Sequence, residues 1–348
     1  AISIHASSPT IRNCVFRHNF NAVNTDGGVA AIFENCTFTD NYDDSMGWGS
    51  AAHFEETDCE MRDCVIESNR SGPGPVSPSI VSQYGTLRLT RCRFRENGGI
   101  YTGWSGGAIE VYGNLIATDC VFEENLAYAG GAIGWYSDPG TALTLTRCTF
   151  DHNSCVAGGS AIAAWGNSGG GVASLDNCIL SFGSPAVAAF VCANMASPPS
   201  LICCDVFGNG TDYTPGCLSG AWNANGNFSL DPLYCPEGLT LQPNSPCAVE
   251  NSSCGQVGAL PAGCLIQLGS CCISEESCEV TLESQCTHPW LRGVTCSPNP
   301  CPGAWSAVGD GPTADQAGIT AIVPNPASGT AQICYETAGG GEDRLEVF

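Results

Sequence analysis

Three groups of residues have types and spacings that could do chemistry. Acids crowd at Glu55, Glu56, Asp58, Glu60 and Asp63, with Arg62 among them. Carboxylates of this kind can hold calcium and an arginine can act as base, the two parts of a metal-assisted proton abstraction; Glu55, Glu56 and Asp58 are the candidate calcium ligands. Aspartates also occur in NTDG (24–27) and at Asp43–Asp44, where clustered carboxyls could serve as acid and base in glycoside hydrolysis. The third group is aromatic: Tyr112, Tyr136 and Trp165, with Glu110 beside them and Trp104 and Tyr128 in the preceding turns. Rings in file can lie against sugar rings while acids and turn amides take the sugar hydroxyls, directly or through calcium. Histidine offers less, since His18 and His152 share a turn column with Asp40, Ser68, Glu96 and Glu124, so no Ser/His/Asp constellation recurs.

These groups ride on a repeat. NCVFRHN (13–19) returns as NCTFTDN, DCVIESN, RCRFREN, DCVFEEN and RCTFDHN, and decays into NCILSFG and CCDVFGN. Its cysteines (14, 36, 64, 92, 120, 148, 178, 204) are 22, 28, 28, 28, 28, 30 and 26 residues apart. A period that settles at 28 and tolerates small insertions marks a solenoid, and units rich in Val, Ile, Thr, Phe and Tyr make its elements strands.

The cysteine and the aromatic two residues later, from Phe16 to Phe150, share one side of a strand and must face the core. The apolar column three residues before the cysteine breaks alternation, which places a corner between two short strands. Five residues after it stand Asn19, Asn41, Asn69, Asn97, Asn125, Asn153 and Asn209. Asparagine suits the left-handed conformation of a tight turn, and its amide can bond the next rung. Stacked rungs also put Asp63, Arg91, Asp119 and Arg147 in one alternating outer column, and keep parallel ladder thiols outside disulfide geometry. The other sixteen cysteines are then the disulfide candidates.

GSAAHFE (49–55), GGAIEVY (106–112), GGAIGWY (130–136) and GSAIAAW (159–165) begin a further strand in each coil. Ile109, Ile133 and Ile162 face inward there, so Tyr112, Tyr136 and Trp165 face out as a flat apolar stripe. Eight rungs at about 4.8 Å make a rod roughly 40 Å long.

The pairing of GGA[IV] with F-x-x-N (Phe16–Asn19, Phe38–Asn41, Phe94–Asn97, Phe122–Asn125, Phe150–Asn153) resembles the repeats of polymorphic outer membrane proteins and related bacterial pectate-lyase-like β-helix proteins. The resemblance spans about residues 1–210 and implies a right-handed, single-stranded parallel β-helix that is secreted or displayed on a bacterial surface, with adhesion as one role. NTDG is similar to a motif of the polygalacturonases on the same scaffold. Their downstream Gly-His-Gly and Arg-Ile-Lys have no counterpart, because His53 lies in SAAHF and the chain has no lysine.

Beyond the repeat, 225–260 is similar to the closing segment of secreted β-helix proteins and is expected to cover the open end. Residues 263–302 hold seven cysteines, from Cys264 to Cys301, with little apolar core, the mark of a small disulfide module rather than of its alternative, a zinc site. A linker (303–320) precedes AIVPNPASGTAQICYET, which resembles the opening strands of the Ig-like C-terminal sorting domain of type IX secretion cargo. On that reading 321–348 is a truncated β-sandwich segment that engages secretion machinery, both ends of the chain are cut, and residues 1–262 form the β-helix with its cap.

The chain carries 34 acids against 11 arginines, a net charge of -23. Such a surface repels phosphate backbones, so nucleic acid is not the expected partner. The 24 cysteines point to an oxidising, extracellular setting. The class read here is all-β, presenting an extended binding face to an extracellular polysaccharide or to a cell-surface glycan or protein, with no catalytic constellation; a polysaccharide lyase or glycosidase is the alternative.

Overall fold

The computed structural model describes residues 1–264, apart from 6, 29, 44–47, 72–77, 100–105, 166–169, 194–197 and 213–216, and beyond them 268–274, 277–282, 286, 290–292, 296 and 301. Trp104, Asp44, the linker and 321–348 therefore lie outside the described residues. The chain divides into two units: one holds 1–234 and 238–263, the other 235–237 and the described residues from 264 on.

The first unit is a parallel β-solenoid. Its larger sheet has fourteen strands in two flanks. One flank stacks Ile2–His5, Val23–Asp26, Ala52–Glu55, the start of Ile80–Thr90, the start of Ile109–Thr118, Ile133–Tyr136, Ile162–Trp165 and Phe190–Ala193. The other stacks Thr10–Arg12, Ile32–Glu34, Cys59–Arg62, the later halves of the two long strands, Ala142–Thr146, Val172–Asp176 and Ser200–Ile202. The second sheet has eight three-residue strands, from Val15–Arg17 to Asp205–Phe207. Short pairs, Tyr42–Asp43 with Arg70–Ser71 and Leu126–Ala127 with Ser154–Cys155, lie on the third side.

The repeat columns form the core. Phe38, Ile66, Phe94, Phe122, Phe150, Leu180 and Val206 stand in register and are buried. Phe94, Phe122 and Phe150 stack at 4.9 and 4.7 Å with nearly parallel rings. The ladder cysteines are buried free thiols that add a donor to the corner carbonyls, as when Cys64 Sγ donates to Arg62 O at 3.2 Å and Phe33 O at 3.5 Å. Burial pushes the Cys120 and Cys178 thiols well up, which keeps them protonated and inert.

The corner before each cysteine is a left-handed residue: Asn13, Asn35, Asp63, Arg91, Asp119, Arg147, Asn177 and Cys203 have φ between 46 and 55°. Their side chains point out and pair up the rod. Arg91 forks onto Asp63 at 2.7 Å for both bonds, and Arg147 onto Asp119 at 2.6 and 2.9 Å.

At the next turn the expectation for asparagine needs correcting. The left-handed residue is the one before it, His18, Asp40, Ser68, Glu96, Glu124 and His152, with φ between 49 and 55°. Asparagine itself is buried and serves as the ladder. Asn97 donates from Nδ2 to Ile66 O at 2.7 Å and to Asn125 Oδ1 at 3.0 Å, while its Oδ1 accepts the Asn69 backbone N–H at 3.1 Å. A buried amide with every group used fixes the turn more firmly than backbone preference does.

The paired glycines are required by close approach. A Cβ on Gly106 would stand 1.9 Å from Ile109 O, and one on Gly131 would stand 2.2 Å from Ser160 O.

The closing segment divides its work. Leu218 enters the core, with Cys217 and Ala221 packed against it, and Phe228 extends the second sheet beyond Asp205. The later part does not cover the open end, as the sequence leads one to expect. It folds back over the outer surface of the second sheet: Gly258 N–H donates to Asn177 O at 2.7 Å, and Asn177 Nδ2 donates to Cys254 O at 3.0 Å and Gln256 O at 2.9 Å. Val257, Leu241 and Cys247 cluster on Ile179. The bridge Cys203–Cys254 holds this strap, and Cys192–Cys217 ties the earlier part to the first flank. Three of the sixteen expected disulfide cysteines, Cys59, Cys155 and Cys247, are free. The second unit is a three-stranded antiparallel sheet with bridges Cys235–Cys264, Cys271–Cys286, Cys272–Cys301 and Cys278–Cys296.

Candidate functional site

The first flank of the larger sheet alternates cleanly. Ile4, Val23, Phe54, Ile80, Ile109, Val111, Ile133, Trp135 and Ile162 belong to the core, so the residues between them face out in two rows. One row reads Ser3, Asn24, His53, Val81, Glu110, Gly134 and Ala163, and the other His5, Asp26, Glu55, Gln83, Tyr112, Tyr136 and Trp165.

Tyr112, Tyr136 and Trp165 stand in file on successive rungs, each half-buried. They do not form a flat stripe. Tyr112 and Tyr136 stack face to face, with centroids 3.9 Å apart and planes 14° apart, and Trp165 meets Tyr136 edge-on at 5.1 Å and 77°. At the 4.8 Å rung spacing, parallel rings spend their faces on each other and turn their edges outward.

Glu110 is 6 % exposed although it faces out. The Tyr112 hydroxyl donates to its Oε1 at 2.7 Å, and the Tyr136 hydroxyl is close enough to add to the pull on the carboxyl. Burial pushes its carboxyl up to about 7, against the pull of the two hydroxyls. Tyr128 follows Leu126–Ala127, a short strand on the third side of the rod rather than on this flank.

The lower half of the face is polar, and column reading missed it. His53 is 2 % exposed, and its Nδ1 is 3.1 Å from Asn24 Oδ1. The Trp48 ring stands over it at 4.8 Å and is itself 45 % exposed. Burial lowers the His53 pKa, against the pull of Glu55, Gln83 and Asp43, so the ring is neutral. The small-residue signal at 49–51, extended down the repeat, would have aligned Asn24, His53 and Glu110.

The acidic groups separate. Glu55 stands in the outward row, Glu56 turns a corner with φ 51°, and Asp58 Oδ1 accepts the Thr86 N–H at 2.8 Å. No group of three or more metal-binding side chains comes together among the described residues, so the calcium cluster read at Glu55, Glu56 and Asp58 does not form. Arg62, the base of the lyase reading, is held by Glu60 at 2.6 Å and Glu34 at 3.0 Å, and Glu60 foremost raises its pKa. A guanidinium gripped by two carboxylates cannot take a proton. In NTDG, Thr25 turns inward to Thr57 at 3.1 Å while Asp26 meets His5 Nδ1 at 2.5 Å; Asp43 lies in a different sheet.

Under the strap, Asp151 Oδ2 meets His152 Nδ1 at 2.5 Å and Asp151 Oδ1 accepts the Ser181 hydroxyl at 2.8 Å, with Tyr234 on Ser181 at 2.8 Å. The carboxylate stands between serine and histidine. The histidine therefore cannot take the serine proton, and this is no nucleophilic triad. Tyr234 comes from outside the repeat, so no spacing announces the contact.

No curated protein and no solved structure matches the chain. Residues 1–180 match the family described as the right handed beta helix region. With the parallel register, the 28-residue coil and the inward columns already in place, that match over half of the sequence makes the chain a member of the right-handed β-helix family.

Proposed function

We propose that this protein binds polysaccharide along the outer face of the larger sheet, as a secreted or surface-displayed attachment module. The observation that carries the reading is the file Tyr112, Tyr136, Trp165 in register on three rungs, continued down the rod by Glu110, Gln83, His53 and Asn24. A sugar chain lying along the axis meets ring edges in one half and the Asn24 and Gln83 amides in the other, with Trp48 at the lower end over the buried His53. From Trp48 to Trp165 the face spans about four rung steps, roughly 19 Å. Six disulfides support an oxidising, extracellular setting. Residues 321–348 are the candidate export signal read by a bacterial secretion machinery.

One observation favours a second reading, glycoside hydrolysis: a carboxyl poised near 7, as at Glu110, is what a general acid needs. The two are separated by a glycan array beside a reducing-sugar assay, run on the parent and on a Tyr112→Ala, Tyr136→Ala, Trp165→Ala variant that remains folded. Binding without turnover, lost in the variant, is the expected outcome. Equal binding by the variant overturns the glycan face, and turnover abolished by Glu110→Gln establishes the hydrolase.

A further inference from the structure

We propose that the ligand of this face is a polysaccharide bearing free amino groups, with Glu110 as the carboxyl that receives the ammonium. The inference rests on the glycan reading and names its substrate class.

Two observations lead there. First, the two outward rows hold no arginine among the described residues, and their acids are Asp26, Glu55 and Glu110. Six arginines are engaged elsewhere in ion pairs: Arg17, Arg93 and Arg95 on the second sheet, Arg91 and Arg147 on the corner column, and Arg62 on the other flank of the larger sheet. A uronate chain would find no cation on this face and a net charge of -23 around it, whereas a polyamine-like sugar is drawn in. Second, Glu110 is a buried carboxyl with a hydrogen bond but no counter-charge. Its hydrogen-bond partner, the Tyr112 hydroxyl, is neutral. Buried carboxylates are stable only when paired, so the site is electrically complete once a cation reaches it.

The chemistry balances simply. Near pH 6 Glu110 carries its proton, because burial holds it up to about 7. When an ammonium binds, the carboxyl ionises, its proton passes to solvent, and a carboxylate–ammonium pair takes the place of a neutral acid. Binding therefore releases up to one proton from Glu110 at pH 6.

The experiment is isothermal titration of the full chain at pH 6 with three probes: a β-1,4-linked glucosamine hexamer, its fully N-acetylated form, and a galacturonate hexamer. Each is titrated in two buffers of different ionisation enthalpy, so that protons released are counted directly. The glucosamine hexamer is expected to bind about tenfold more tightly than the N-acetylated one, the value of one charge-assisted hydrogen bond, with proton release in the parent. Glu110→Gln is expected to erase both the preference and the proton release. The proton count needs no variant, so a poorly folded Glu110→Gln does not spare the idea. If the N-acetylated or galacturonate hexamer binds as well as glucosamine, or no proton is released, the amine assignment falls and the glycan face stands. If none of the three binds, the glycan reading falls with it.

Discussion

The turn that carries Asn41, Asn69, Asn97, Asn125 and Asn153 uses one residue on every rung, whereas the outward rows of the larger sheet change at every rung, from Asn24 and Asp26 to Ala163 and Trp165. Both columns have the same rung spacing and the same parallel register. They differ in what the neighbouring rung demands. Each ladder asparagine must accept from the rung below and donate to the rung above, so only a side chain with both groups on a short stem will do. An outward residue can meet its neighbour in several ways, by a ring stack at Tyr112 and Tyr136 or by a hydrogen bond at Asn24 and His53, so no single type is required. Repetition thus marks where the rod holds itself together, and variety marks where it is free to meet something else. The surface beneath the strap is a third case, in which variety is buried.

That third case offers the largest test. Asp205, on the outer column of the second sheet, is buried under the strap, where Leu230 N–H donates to it at 3.0 Å and Cys247 Sγ at 3.3 Å. Burial foremost, with Asp212 and Asp231 nearby, pushes its carboxyl up from 3.8 to about 7. A carboxyl raised on folding stabilises the protein in acid: its contribution is complete below the unfolded value, declines as pH rises between about 4 and 7, and is gone above that. Taken at face value the decline approaches 4 kcal/mol, about 1.4 per pH unit. Urea unfolding from pH 4.5 to 8 should show stability falling across this window, and Asp205→Asn should flatten the curve. A parent whose stability rises toward pH 7 would show the strap is not seated as described.

The next test sets the two columns against each other. Asn125→Ala removes bonds to Phe94 O and Asn153 Oδ1 and leaves Asn97 N–H without its acceptor, which should cost about 3 kcal/mol. Tyr136→Ala breaks one stack and one edge contact and should cost about half that. Chemical denaturation of the two variants decides it, and equal costs would erase the distinction between ladder and face. The smallest effect belongs to the corner column. A double-mutant cycle on Arg91 and Asp63, both about half exposed, should give about 0.5 kcal/mol in dilute buffer and less in 1 M salt.

The columns explain what was legible in the sequence. Phe38 to Phe150, the ladder cysteines and the Asp63–Arg91–Asp119–Arg147 column follow from period and alternation alone. The left-handed turn residue was misplaced by one position because asparagine's backbone tolerance masked its stronger use as a buried hydrogen-bonding group. The strap was unreadable in its placement, since Thr149 meets Ala259 across 110 residues and no period links them. Of the candidate site, the aromatic file was readable as an order along the rod. Its edge-on stacking, the burial of Glu110 and the imidazole at His53 depend on how rings and loops settle over the sheet, which a column of letters does not record.

The thiol ladder carries a consequence for how the chain matures. Cys14, Cys36, Cys64, Cys92, Cys120, Cys148, Cys178 and Cys204 remain reduced in a protein that also holds six bridges, because parallel side chains on stacked rungs keep their Cβ atoms beyond bridging reach. Before the rungs stack, nothing imposes that separation, and the same thiols are as available to an oxidant as any others. Maturation is therefore a race between stacking and oxidation, and a correctly sorted set of bridges is the record that the rod closed first.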